Sequence, residues 1–158
     1  MKILRVIASM DPISGGPCQG IRNSIQAMAP HKVLNEVVCL DDPNAAFIEK
    51  DPFKIHALGP ATNPWSYSGK LMEFLEKQIP LFDALVVHGI LLYPSYATYK
   101  TQTKLERKNN KKIPWYVMPH GMLDPYFQNA PERKLKAKRN EIYWKFVERH
   151  VINNASAI

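Results

Sequence analysis

Five short apolar runs alternate with stretches of helical period along this chain, and that alternation limits the fold more than any other feature. The runs are Ile3–Ala8, Val33–Leu40, Phe53–Leu58, Ala84–Val87 and Ile113–Met118. Between them the spacing predicts helices from about Cys18 to Ala29 (Ile21, Ile25 and Met28 on one face) and over Tyr67–Gln78 (Leu71, Phe74, Leu75 and Ile79 together). A further helix is predicted over Tyr93–Lys108, closed by Asn109-Asn110, and a long one over Pro131–Val151, opened by Pro131 and Glu132. Strands that alternate with helices build βαβ units, so the fold class is α/β: a Rossmann-like parallel sheet flanked by helices. Ile3–Ala8, broken only by Arg5, reads as a central strand.

At 158 residues the chain fits one domain that can bury its own core. Cys18 and Cys39 show no metal-ligand spacing, so a reduced, cytoplasmic chain without structural zinc is expected. No apolar stretch approaches the roughly 18 residues of a membrane span, and Arg5 breaks the opening run before it resembles a signal peptide. The formal charge of +7 is regional. Residues 100–112 carry six basic side chains against one acid, and residues 132–149 carry seven against three. No helix-turn-helix, zinc finger or aromatic RNA-binding motif accompanies that charge, which argues against nucleic acid as a partner.

Function should sit where strands end, because ligands of open α/β sheets bind outside the carboxyl ends of the strands. Ser14-Gly15-Gly16-Pro17 follows the first strand and opens a helix, a place where free N–H groups and the helix dipole favour an anion. The simpler reading is a tight βα turn. Gly15 and Gly20 have P-loop spacing, but Ile21-Arg22 stands where lysine and a hydroxyl are needed. Pro17 breaks the dinucleotide fingerprint, although Asp41 stands where a ribose-binding acid would. His88-Gly89 and His120-Gly121 each end a strand, and Asp124 follows as a loop-orienting or capping residue. No nucleophile elbow and no histidine–carboxylate metal cluster occurs. The turn at Gly15-Gly16 and the imidazole of His120 are expected to line one crevice.

The first strand with its Gly15-Gly16 loop, the His120-Gly121-Met122-Leu123-Asp124-Pro125 element, the basic helix and the Asn153-Asn154-Ala155 exit together resemble family 4 glycosyltransferases of the GT-B fold. The resemblance covers essentially all of this chain and the N-terminal half of such an enzyme. It implies an N-terminal acceptor-side domain over residues 1–158, with the donor-binding C-terminal domain absent from this chain. It further implies a retaining transferase that moves a sugar from a nucleotide-sugar donor to a glycan or lipid-linked acceptor, needing no metal or other cofactor. By the same resemblance His120 is the catalytic residue beside the reacting sugar, and Gly15 and Gly16 bind the donor phosphate. Ser14, His88, Gly121 and Asp124 are expected to line the cleft. The other reading is a non-catalytic Rossmann-like module for a nucleotide or small anion.

On a helical wheel of the last helix Leu135, Ile142, Tyr143, Phe146 and Val147 fall together, flanked by Lys134, Lys138, Lys145 and Arg149. The plain expectation is a core-packed helix with a solvated cationic flank. The functional one is attraction to an anionic membrane surface, with the protein peripheral on the inner face of the plasma membrane.

Overall fold

A computed structural model describes residues 1–110, 112–126 and 134–158. Five parallel strands, β1 (Lys2–Ile7), β2 (Leu34–Cys39), β3 (Lys54–Ala57), β4 (Ala84–His88) and β5 (Trp115–Met118), form one sheet in the order β3-β2-β1-β4-β5. The helices are α1 (Gly16–Met28), α2 (Gly69–Gln78), α3 (Tyr93–Asn109), α4 (Lys134–Tyr143) and α5 (Arg149–Asn154). A π-helical turn over Trp144–Glu148 joins α4 to α5. The fold is the expected Rossmann-like α/β sheet. Pro131 and Glu132, expected to open the last helix, lie outside the described residues.

The alternating direction of strand side chains builds two layers. Leu4, Val6, Val38, Leu85, Val87, Trp115 and Val117 face α2 and α3, where they meet Leu71, Leu75, Ile79 and Ala97. On the other face Ile7, Val37 and Cys39 meet Cys18, Ile21 and Ile25 of α1. Tyr116 and Met118 of β5 remain exposed, as they are the outward members of that strand's alternation. Residues 156 and 157 extend along the outer edge of β5, with Ser156 N–H donating to Trp115 O (2.8 Å) and Val117 N–H to Ala157 O (3.1 Å).

The last helix departs from its wheel. Leu135 is 88% exposed, Ile142 53% and Phe146 67%. Tyr143 and Val147 are half-buried, and the inward residues are Asn140, Glu148 and Val151. The reason is an anchor that the apolar pattern does not contain. The Glu148 carboxylate accepts Leu91 N–H (2.8 Å) and Ser95 Oγ–H (3.0 Å) at the start of α3, while its second oxygen is buried with no hydrogen-bond partner among the described residues. Meeting that anchor rolls the helix toward Val147 and Val151, and the π turn absorbs the misfit in register.

Candidate functional site at the carboxyl rim of the sheet

Parallel pairing sends the loops after β1, β4 and β5 to one edge of the sheet. Between β1 and β4 the chain reverses its direction of travel across the sheet, the switch point at which ligand crevices form. Ile7 and His88 sit opposite each other there, and His88 is opposite Met118.

On the β1 side, Asp11 caps a short 3-10 turn by accepting Ile13 N–H (2.9 Å). Gly15 follows with φ +84°, a backbone that side chains other than hydrogen resist. Its N–H donates to Pro12 O (3.2 Å). The donors left at the start of α1 are therefore those of Gly16 and Cys18, because first-turn N–H groups have no carbonyl four residues back within the helix and Pro17 has no N–H. A Cβ built on Gly15 or Gly16 would meet nothing within 4 Å, so the space beside the loop is open. Ser14 hydrogen-bonds Ser9 (3.1 Å), whose hydroxyl donates to Asp41 (2.6 Å). Asp41 also accepts Met10 N–H (2.7 Å), so this acid braces the loop after β1 with both oxygens.

The β4–β5 side carries the histidines. His88 is buried, and its Nδ1 lies 2.8 Å from His120 Nε2. Behind it, Arg5 Nη1 lies 3.2 Å from His88 Nε2, and Arg5 Nε donates to Asn35 Oδ1 (2.9 Å). Arg5 was legible only as a break in an apolar strand. That placement was the signal, since a charge in the middle of a central strand must be given buried partners. Burial first, then the Arg5 charge and His120, push the His88 pKa down to about 3. Burial also lowers that of His120. His120 and Gly121 are consecutive residues at positive φ (51° and 76°). Such a backbone at a non-glycine residue costs on the order of 1 kcal/mol and tends to be kept at functional positions.

Asp124 accepts Tyr126 N–H (2.8 Å), a local capping bond. Met122 reaches back to the loop after β4, where Ile90 N–H donates to its Sδ (3.4 Å). Thus His88, His120 and Gly121 come together, whereas Ser14 is tied through Ser9 to Asp41, just past the end of β2. No hydrogen bond among the described residues joins Gly15 or Gly16 to His120. Two cavities of about 620 and 720 Å³ open beside α4. Leu91, Met122 and Asn140 line both, and neither touches Gly15, Gly16 or His120. Glu148 was missed outright, because a glutamate on a basic helix carries no sign of burial. Desolvation pushes its pKa up to about 7 despite the two hydrogen bonds. Among the described residues no group of three or more His, Cys, Asp or Glu side chains is placed to hold a metal ion. Nor is any described helix long and apolar enough to cross a membrane.

No protein-family model and no curated protein sequence matches the chain. Solved structures similar in backbone include these two. One is a protein described as a UDP-N-acetylglucosamine 2-epimerase from Listeria monocytogenes, with TM-score 0.49 and 12% identity over 89% of this chain and 36% of that one. The other is UDP-GlcNAc 2-epimerase from Neisseria meningitidis bound to UDP-GlcNAc, with TM-score 0.48 and 16% identity over 90% of this chain and 38% of that one. The chain therefore spans little more than a third of the length of either protein.

Proposed function

We propose that this chain is the acceptor-side half of a GT-B retaining glycosyltransferase, acting on a nucleotide-sugar donor and a glycan or lipid-linked acceptor. The observation that carries the reading is the pairing of His88 with His120 at the switch point of a parallel sheet, on the same edge as the open N-terminus of α1. Departure of a sugar leaves negative charge on the donor's distal phosphate. Donors fixed in advance at that place stabilise the charge as it forms. The N–H of Gly16 and the α1 dipole supply such donors, with Gly15 shaping the turn that exposes them. His120 sits by the reacting sugar, and Ser14, Gly121 and Asp124 shape the cleft without touching the reacting atoms. The nucleotide itself would be held by a second domain.

The last helix adds a place of work. Leu135, Ile142 and Phe146 are exposed beside the cations Lys134, Lys138, Lys145 and Arg149, all of them at the surface. Apolar side chains bordered by a basic stripe suit the interface of an anionic bilayer, here the cytoplasmic face of a membrane. The test is turnover by the full-length parent across a panel of nucleotide-sugars, with His120→Ala alongside. Transfer by the parent, a fall of about 100-fold or more in kcat on removing His120, and none by residues 1–158 alone are the expected results. Nucleotide binding by these residues alone, with an inactive parent, would favour the non-catalytic module.

A further inference from the structure

We infer that Arg5, acting through His88, fixes His120 as the neutral Nδ1–H tautomer, so that His120 offers its ligand a hydrogen-bond donor and not a base. The argument needs only donor and acceptor rules. A guanidinium donates and never accepts. The His88 Nε2 atom that faces Arg5 Nη1 at 3.2 Å must therefore present its lone pair. A neutral imidazole with its lone pair on Nε2 carries its proton on Nδ1. That proton points at His120 Nε2, 2.8 Å away, which must accept it. The proton of His120 is then left on Nδ1.

The geometry fits an edge-to-edge bond. The two rings are within 19° of parallel with centroids 5.1 Å apart, as for imidazoles joined in plane through N–H···N. The far end is fixed as well, because Asn35 accepts from Arg5 Nε and donates to Val33 O (3.3 Å). Arg5, Asn35 and His88 are all buried. Among the described residues the charged or titratable groups facing His88 are Arg5 from β1 and His120 from the loop after β5. Protonating His120 would set its Nε2–H against the Nδ1–H of His88. Protonating His88 would set a new N–H against the guanidinium. Both additions are opposed, in keeping with the lowered pKa of each ring.

His120 Nδ1 has no protein partner among the described residues, and the side chain is exposed at the rim. The ligand atom that it reads is accordingly an acceptor, a hydroxyl or phosphate oxygen. Arg5 and His88 are positioning residues. Only the identity of that oxygen rests on the transferase reading; the tautomer does not.

Two-bond 1H–15N correlation spectra of the chain test the inference without donor or acceptor. The wild type should show His120 protonated on Nδ1 and bare on Nε2, and should keep that state as pH falls below the ordinary midpoint of about 6.5. His88→Phe should release it to a mixture of tautomers that takes up a proton at higher pH than the wild type does, because the opposing Nδ1–H of His88 is gone while the burial of His120 stays. Arg5→Lys, which keeps a donor, should hold the wild-type pattern better than Arg5→Met. A wild-type spectrum with the proton on Nε2, or a wild-type midpoint near 6.5, overturns the inference even if the variants fail to fold. An unchanged spectrum in folded His88→Phe overturns it too. An inactive parent with this tautomer would remove the transferase reading alone. An active parent whose His120 titrates normally would remove the relay alone.

Discussion

Helix α2 and the last helix are read from sequence by the same rule and end differently. The apolar side of α2 is sealed, with Leu71 1% exposed and Leu75 and Ile79 fully buried. The last helix leaves Leu135, Ile142 and Phe146 in water and turns Asn140, Glu148 and Val151 inward. Amphipathicity states that a face gains from cover, and it is silent on what the cover is. For α2 the cover is the sheet. For the last helix the position is set by one carboxylate tied to the start of α3, and the apolar stripe is left over for something else.

The contrast can be broken or sharpened by measurement. Replacing Lys134, Lys138, Lys145 and Arg149 together by Gln should weaken partitioning onto phosphatidylserine-containing vesicles at low salt by about a thousandfold. Co-sedimentation of the variant equal to that of wild type would leave the exposed stripe without its proposed surface. Next in size is the core test by chemical denaturation. Leu75→Ala should cost about 3 kcal/mol. Leu135→Ala should stay within about 0.5 kcal/mol, and a larger loss would mean that Leu135 is packed after all.

The pH dependence of stability should separate the two buried anchors. Glu148 has a folded pKa raised from 4.5 to about 7, so its contribution is full below pH 4.5 and is lost as pH rises through 7. His88 runs the other way. Its pKa is depressed from 6.5 to about 3, so its contribution is present above pH 6.5 and is lost as pH falls toward 3. In the wild type these slopes oppose each other between pH 4.5 and 6.5. Melting temperatures of Glu148→Gln should climb with pH across that window, and those of His88→Gln should decline. Parallel curves for the two variants would show that neither group titrates as its burial requires.

How much could be read from the chain follows the same division. Strand order was not written in the runs, but their alternation with helices sufficed for a parallel sheet. The turn at Gly15-Gly16 was legible as a tight βα turn, but not that Gly15 alone of the two takes the positive φ. His88 and His120 were legible one at a time as strand-ending imidazoles. Their contact was not, because 32 residues separate them and only the β4–β5 pairing brings them together. Arg5 was visible as an anomaly, though its partners were not. Nothing in the local pattern foretold Glu148 or the π turn, which answer to the distant N–H of Leu91.

Arg5 has no carboxylate at ion-pairing distance among the described residues, although it lies at the heart of the sheet. Its hydrogen bonds go to neutral groups, which spread its charge without cancelling it. From Arg5 the hydrogen bonds run outward through His88 to His120 at the rim. An oxyanion held at His120, as proposed above, would sit at the outer end of that chain of hydrogen bonds and offset from outside part of a charge that the interior leaves unpaired.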